Sequence, residues 1–223
     1  MPRIPIFDLD GSLLDSAPDI TKGLNAIRRS LGLSSLPVDT VRRNIGGGLS
    51  ALLRSTKTAQ TESEITLARE IFMRVYSECF LEESKPFEGV EELLNDYPVA
   101  GLVSNKPRRF GAPILKGLGW AFEVEIFGDD GFGSKPDPGP LVAAVSQLGC
   151  LPSDVIYLGD TDVDVMAAES CGIEVYLFPW SHAAGYEKYR LDSLLDLRNR
   201  LNCTSSSERI PDGDLGSSRV SWI

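Results

Sequence analysis

Ile6-Phe7-Asp8-Leu9-Asp10-Gly11-Ser12 is a short apolar run that ends at two carboxylates, followed by a glycine and a hydroxyl. Alternate residues of a strand point to the same side, so Asp8 lies on the strand axis and Asp10 can turn back toward the same point. Gly11 permits the tight turn that this return needs. Two carboxylates forced together repel each other, and burying them is costly unless a positive charge lies between them. The stretch therefore predicts a bound hard cation and one carboxylate left to react; the alternative is a strand ending in an Asp-rich turn.

The composition of the chain restricts its class. Its 223 residues are 42% apolar, which is enough for one large domain or one domain with a sizeable insertion. The net charge of −10 argues against nucleic-acid binding, which usually needs a basic face, and leaves a phosphorylated small molecule as a ligand. No stretch approaches the roughly 18 consecutive apolar residues of a membrane span, so no membrane contact is expected.

Cysteine and histidine are scarce. The four cysteines are far apart and show no CxxC spacing, so free thiols in a reducing cytoplasm are expected rather than disulfides or a zinc site. A core strand begins within a few residues of the N-terminus, which leaves no room for a signal peptide. His182 is the single histidine, and this nearly excludes a histidine base or a multi-histidine metal site.

Residues 16–86 show helical patterns throughout. Apolar side chains recur at helical spacing over 17–31, over 38–55 and over 64–81. Three consecutive glycines, 46–48, interrupt the second of these segments. This block therefore predicts an all-helical unit.

The pattern changes after Pro86, where short apolar runs begin to alternate with helical segments. The runs lie at 99–103, 124–127, 155–158 and 173–178, and the helices near 107–118, 138–149, 162–171 and 191–201. Such alternation is typical of a parallel sheet with helices on both faces, to which residues 3–8 add a first strand.

These patterns divide the chain into two units and a tail. We predict an α/β core formed by residues 1–15 and 87–201. The helical block 16–86 is then a cap inserted after the first strand. Residues 202–223, rich in Ser, Gly and Asp, are predicted to be a disordered tail.

Four apolar runs end in polar residues. Besides the first stretch, these endings are Ser104-Asn105-Lys106, Lys135-Pro136-Asp137-Pro138 and Gly159-Asp160-Thr161-Asp162-Val163-Asp164. Ligands of doubly wound sheets bind outside the carboxyl ends of the strands. The four endings are therefore expected to meet in one site.

FDLDGSLLDS, LVSNKP, SKPDP and LGDTDVD, in this order, resemble the four motifs of haloacid-dehalogenase-superfamily phosphatases, and most of all their phosphoglycolate-phosphatase branch. The resemblance covers about residues 4–201. It implies a Rossmann-like three-layer core with a parallel sheet and an inserted helical cap, in agreement with the helical block found independently. Ser12 stands where relatives usually have threonine, which keeps the hydroxyl.

The resemblance also implies roles for the carboxylates. Asp8 is the nucleophile that forms an aspartyl-phosphate, and Asp10 is the general acid for the leaving alcohol and the base for the attacking water. Asp8, the backbone carbonyl of Asp10, and Asp160 bind Mg²⁺. Asp164, one helical turn after Asp160, supports these ligands or supplies a further carboxylate. The alternative for 160–164 is a solvated acidic loop.

Three further residues are implied to hold the phosphoryl group. They are the Ser104 hydroxyl, the backbone amide of Asn105 and the Lys135 ammonium. Each has an ordinary alternative: Ser104 as a helix cap, Asn105 as a turn residue, and Lys135 as a solvated loop lysine.

The cap is expected to close over the site and contact the substrate beyond its phosphate. Arg42, Arg43 and Gly47 are the candidates, because an arginine grips a carboxylate with two hydrogen bonds and glycine amides can face an anion. The alternative is that the glycines only end a helix and the arginines are solvated.

The sequence thus predicts a Mg²⁺-dependent phosphatase acting on a small phosphorylated organic molecule, with 2-phosphoglycolate as the first candidate. Alternatives within the same superfamily are a sugar-phosphate mutase and a pyrophosphatase. An alternative of another class is a non-catalytic binding or regulatory protein on the same fold; the joint presence of Asp8, Asp10, Lys135 and Asp160 argues against it. The sequence does not indicate an oligomeric state.

Overall fold

A computed structural model of the chain describes residues 3–202. Within this range, five parallel strands form a central sheet and two short strands form an antiparallel pair. In chain order the strands are β1 (Ile4–Phe7), β2 (Leu14–Asp15), β3 (Lys85–Pro86), β4 (Gly101–Ser104), β5 (Val124–Phe127), β6 (Val155–Gly159) and β7 (Glu174–Leu177). The order across the central sheet is β5-β4-β1-β6-β7, which confirms the predicted parallel α/β core. The strand order reverses between β1 and β6, where ligands of such sheets bind.

Helices cover both faces of this sheet. In chain order the helices are α1 (Ala17–Ser30), α2 (Val38–Arg42), α3 (Gly48–Ser55), α4 (Glu62–Cys79), α5 (Val90–Asp96), α6 (Arg108–Leu118), α7 (Gly139–Leu148), α8 (Asp162–Ser170) and α9 (Leu194–Asn202). Buried side chains of α5, α6 and α9 pack with Phe7, Leu102 and Leu158 on one face. Those of α7 and α8 pack with Ile6 and Tyr157 on the other. Alternate residues of each strand therefore belong to opposite layers, as the strand period requires.

Pro5 lies inside the central strand β1, where proline is unusual because it lacks an amide donor. It is paired with Ile156 of β6, whereas the pairing of β1 with β4 begins one residue later, at Ile6. The strand thus reaches its full two-sided pairing only in its second half, next to Asp8.

The four helices α1–α4 enclose a core of their own. Its fully buried members include Leu24, Ile27, Val41 and Leu53. The helix predicted over 38–55 is interrupted in the structure, with α2 ending at Arg42 and α3 starting at Gly48, whose φ is +78°. Since a left-handed residue cannot continue a helix, the glycine run separates the two helices.

A small hinge sheet joins the cap to the core. Leu14 pairs with Pro86 and Asp15 with Lys85, so the chain enters and leaves the cap through neighbouring antiparallel strands. The buried carboxylate of Asp19, near the start of α1, accepts hydrogen bonds from the amide and hydroxyl of Ser84, at 2.8 and 2.7 Å. This sheet, like α5, was not predicted. It lies where the sequence divides cap from core, and the domain division itself stays a prediction.

Two sequence expectations concern the chain as a whole. Among residues 3–202, none of the helices combines the length and hydrophobicity needed to traverse a bilayer. The predicted disordered tail, 202–223, lies outside the described residues apart from Asn202, the last residue of α9.

Candidate active site

The loop after β1 brings two carboxylates to the carboxyl end of the sheet. The Asp8 amide donates to the Leu158 carbonyl at 2.8 Å, which extends the pairing of β1 with β6 by one residue. Gly11 has a φ of +84°, and a Cβ at this position would lie 2.3 Å from a carboxylate oxygen of Asp160. Glycine is therefore required at position 11 for two reasons: the turn after Asp10 needs a positive φ, and the close approach of Asp160 leaves no room for a side chain.

Three carboxylates converge beside this loop. Asp8, Asp160 and Asp164 each place one oxygen so that the three atoms all lie within 4.8 Å of one another. The Ser12 hydroxyl donates to Asp160 Oδ1 at 2.9 Å. Asp164 is held at the start of α8 because its Oδ2 accepts from the amide and the hydroxyl of Thr161, at 3.0 and 2.7 Å. Residues more than 150 positions apart in the chain thus share one site, as expected for the ends of neighbouring parallel strands.

Lys135 is buried against this cluster. Its Nζ lies 2.8 Å from Asp8 Oδ1 and 2.6 Å from Asp164 Oδ1. The Tyr157 hydroxyl at 2.6 Å and the Val103 carbonyl at 3.1 Å are also within hydrogen-bond distance of it. An ammonium has three hydrogens, so it cannot serve four acceptors at once, and Tyr157, 3.0 Å from Asp164 Oδ1, is a second donor for that carboxylate. Tyr157 was not predicted, because a tyrosine within an apolar strand indicates core packing.

The charges of this cluster do not balance. Burial raises the pKa of Asp8 to about 6, although Lys135 opposes the shift. Burial and the charges of Asp164 and Asp8 raise the pKa of Asp160 well above its ordinary range. Burial also acts to raise the pKa of Asp164, but the contact with Lys135 outweighs it and the pKa is lowered. One ammonium lies beside three carboxylates, which leaves an excess of negative charge. A divalent cation that prefers oxygen ligands would neutralise this excess.

The second motif lies beside this cluster, at the end of β4. The Ser104 side chain is buried, and its oxygen accepts from the Lys106 amide at 3.3 Å. The Asn105 side chain connects three segments: it accepts from the Lys135 amide at 2.8 Å and donates to the carbonyls of Lys135 and Gly46, both at 2.9 Å. This asparagine therefore holds the Lys135 loop and contacts the cap, in addition to the amide role inferred for it.

Lys106 is a site residue to which the sequence analysis gave no role. Its Nζ lies 2.9 Å from each carboxylate oxygen of Asp10 and 2.9 Å from the Tyr76 hydroxyl of α4. All three ammonium hydrogens therefore have a partner. Its position directly after Ser104 and Asn105 in the second motif indicated that it could belong to the site. Its partner on the cap could not be read from the sequence.

A cavity of about 70 Å³ lies between these groups and the cap. Its core side carries the polar residues of the first two motifs, among them Asp8, Asp10 and Lys106. Its cap side is largely apolar, with Ile20, Ile45, Leu49, Leu52, Phe72 and Met73. The reacting carboxylates therefore lie at the polar side of a cavity whose opposite side is apolar.

The cap residues predicted to select the substrate lie around this cavity rather than in its wall. Arg42 donates to both oxygens of Asp15, at 3.4 and 2.9 Å, and also pairs with Asp39. Arg42 and Arg43 line a second cavity, of about 530 Å³. The two glycines on either side of Gly47 line the first cavity. Substrate selection by these three residues stays a prediction.

A family sequence profile matches residues 5–178, a range that includes all four motifs. The chain belongs to the haloacid dehalogenase-like hydrolases. This confirms the resemblance inferred from the motifs. Among solved structures, a haloacid dehalogenase-like family hydrolase from Streptococcus pneumoniae matches with a TM-score of 0.71 at 21% identity, over 89% of this chain and 90% of that chain.

Several curated relatives of this haloacid dehalogenase-like hydrolase are phosphatases. An N-acetylmuramic acid 6-phosphate phosphatase from Pseudomonas aeruginosa is 38% identical over 174 residues, covering 75% of this chain and 77% of that protein. Phosphoglycolate phosphatase 1 from the same species is 32% identical over 236 residues, covering 98% and 86%. The chain is therefore an enzyme, a phosphatase of the haloacid dehalogenase-like family.

Proposed function

We propose that this phosphatase is Mg²⁺-dependent and hydrolyses a small phosphate monoester through an aspartyl-phosphate on Asp8, with 2-phosphoglycolate as the first candidate substrate. The observation that carries the proposal is the convergence of Asp8, Asp160 and Asp164 on one another, with Lys135 bound to Asp8 and Asp164, next to a cavity that also contains Asp10. Such a site has a nucleophile, a proton carrier and positive charge for phosphoryl oxygens.

The first half of the reaction transfers the phosphoryl group to Asp8. Lys135 holds Asp8 Oδ1 at 2.8 Å, which leaves Oδ2 to attack phosphorus. As the bond between Oδ2 and phosphorus forms, the bond from phosphorus to the alcohol oxygen breaks. Asp10 gives its proton to the departing oxygen, so the product leaves as a neutral alcohol.

The second half returns Asp8 to its carboxylate form. A water molecule attacks phosphorus, Asp10 takes a proton from it, and the bond to Asp8 breaks to release inorganic phosphate. The Lys135 ammonium and the hydrogen-bond donors at Ser104 and Asn105 stabilise the charge on the phosphoryl oxygens in both halves.

The carboxylates of Asp8 and Asp160 and the backbone carbonyl of Asp10 would hold the magnesium ion, with Asp164 supporting them. Bound there, the ion supplies positive charge to the phosphoryl oxygens. The cluster favours this assignment because its donors are oxygens and its carboxylates outnumber its one lysine.

A second candidate substrate is N-acetylmuramic acid 6-phosphate. It is favoured by the 38% identity to the phosphatase named for it, against 32% for phosphoglycolate phosphatase 1. The apolar cap side of the cavity suits a leaving group with carbon surface. Both candidates are phosphate monoesters whose alcohol part carries a carboxylate.

The test is phosphate release from a panel of 2-phosphoglycolate, N-acetylmuramic acid 6-phosphate, p-nitrophenyl phosphate, sugar phosphates and pyrophosphate, with Mg²⁺ and with chelator. We expect release that requires Mg²⁺ and is abolished in Asp8→Asn. Asp192→Asn, at an exposed carboxylate, is the matched control and should remain active. Mass spectrometry of quenched turnover should find a phosphoryl group on the peptide containing Asp8.

Other outcomes separate the alternatives. Transfer of phosphate between positions of a sugar, without release, would identify a mutase, and release from pyrophosphate alone a pyrophosphatase. Absence of metal-dependent activity on the whole panel would favour a non-catalytic role, and an active Asp8→Asn variant would refute the covalent mechanism.

We also propose a cytoplasmic location. Cys79, Cys150 and Cys171 are free thiols in the structure, which suits a reducing compartment. Cell fractionation tests this, and recovery from an oxidising compartment would contradict it.

A further inference from the structure

The two buried lysines of the site contact different carboxylates. Lys135 contacts Asp8 and Asp164, at the phosphoryl end. Lys106 contacts Asp10, the group that gives a proton to the departing alcohol. Lys106 therefore lies on the side of the leaving group, and among the described residues that line this cavity it is the one cation.

Lys106 is a desolvated charge. The residue is 7% exposed, and Phe72 and Phe110 line the cavity around it. Its Nζ also lies 5.0 Å from the centre of the Tyr76 ring. The Asp10 carboxylate, 2.9 Å from the Lys106 Nζ, is a countercharge for the buried ammonium. In such surroundings a charged hydrogen bond is stronger than in water.

We propose that Lys106 is the receptor for a carboxylate on the leaving group, and that the substrates of this enzyme are phosphate monoesters whose alcohol part carries a carboxylate. This rests on the proposed phosphatase function. When such a substrate binds, one N–H of Lys106 turns from Asp10 to the substrate carboxylate. The others keep their bonds to Asp10 and Tyr76, so the ammonium stays fully paired.

The arginines of the cap are less suited to this task. Arg42 already pairs with Asp15 and Asp39, and together with Arg43 it lines the second cavity. A carboxylate in the first cavity therefore meets Lys106. Tyr76 comes from the cap, so its hydroxyl connects the cap to the ammonium.

The test compares two substrates that differ in the carboxylate, 2-phosphoglycolate and 2-hydroxyethyl phosphate. The quantity measured is the ratio of their kcat/KM values, which cancels any general effect of a variant on phosphoryl transfer. Wild type should prefer 2-phosphoglycolate. Lys106→Met should lower the ratio roughly 30-fold or more, because the carboxylate then enters an apolar site without its cation.

Further variants keep the assignment falsifiable. Lys116→Met, at an exposed lysine of α6, is the matched control and should leave the ratio unchanged. Lys106→Gln keeps a hydrogen-bond donor without the charge and should show a drop similar to that of Lys106→Met. Lys106→Arg keeps the charge and should recover part of the preference.

A binding measurement complements the kinetics. Calorimetry should show that Asp8→Asn binds 2-phosphoglycolate more tightly than 2-hydroxyethyl phosphate. Adding Lys106→Met to that variant should remove the difference in affinity. A ratio that changes less than about threefold in folded Lys106→Met and Lys106→Gln would overturn the assignment while leaving the phosphatase proposal intact. Failure of wild type to release phosphate from any ester would instead overturn the proposed function.

Discussion

Replacing Lys135 by methionine removes the one ammonium group, among residues 3–202, that contacts Asp8 and Asp164, both of which lie within 2.8 Å of it. The side chains of these residues are at most 5% exposed, so water cannot replace the lost partner. Removal of one partner of a buried ion pair costs about 3–5 kcal/mol. At the lower figure, a domain of this size loses about 6–12 °C in Tm.

Thermal unfolding followed by circular dichroism, in chelator at pH 7, measures this loss. Lys116→Met is the control and should melt with wild type, because that lysine is exposed and lies away from the carboxylates. A Lys135→Met protein that melts within about 2 °C of wild type would refute the reasoning, since the lysine would then not compensate the carboxylates.

The effect should depend on pH in a defined direction. Lys135 lowers the pKa of Asp164 below its ordinary 3.8, so this stabilisation is complete above that value and is lost as the pH falls through the folded-state pKa. The pKa of Lys135 is itself raised above 10.5, so its contribution is complete at neutral pH and is lost only as the pH rises through the folded-state value. The difference in Tm between wild type and Lys135→Met should therefore be large at pH 7 and should shrink as the pH falls below 3.8.

Three further substitutions test other parts of the site. Asp160→Asn should raise the free energy of unfolding in chelator at pH 7 but not near pH 3, because the raised pKa of Asp160 destabilises the metal-free fold as the pH rises above 3.8. Added Mg²⁺ should stabilise wild type more than the variant, and equal stabilisation would contradict the role of Asp160 as a metal ligand. Gly11→Ala should lower the free energy of unfolding in urea by about 1–2 kcal/mol and lower kcat/KM, because its φ is +84° and the new methyl would meet Asp160; unchanged activity would contradict this. Asp19→Asn should cost about 2 kcal/mol in urea, because the buried carboxylate accepts from the amide and hydroxyl of Ser84, and an unchanged midpoint would show that these bonds do not hold the hinge.

The arrangement of the carboxylates could be predicted because parallel strands place their carboxyl ends at one edge. Asp8 and Asp160 each follow an apolar run, so a parallel sheet places both at one edge, and the pairing of β1 with β6 brings them together. The sheet and the large helices have enough residues to show a period. The hinge strands have two residues each and α5 has seven, which is too short for such a signal.

The partners of the lysines could not be predicted in the same way. The contact of Lys106 with Tyr76 depends on how α4 lies over the sheet, and no local pattern records that packing. Tyr157 occupies an apolar strand, and only its neighbours show that its hydroxyl contacts Lys135. Arg42 looked available for a ligand because its partner Asp15 lies in the hinge sheet, 27 positions earlier in the chain.

The hinge sheet brings the two ends of the inserted segment together. Since Asp15 and Lys85 are paired in antiparallel strands, the two ends of the inserted segment leave the core side by side. A tight turn of two residues is enough to join such strands, so the path of the chain through the central sheet does not depend on the length of the inserted segment. The inserted segment also supplies Tyr76 and the Gly46 carbonyl, which contact Lys106 and Asn105. A change within this segment can therefore reach the site while the order of the five central strands stays the same.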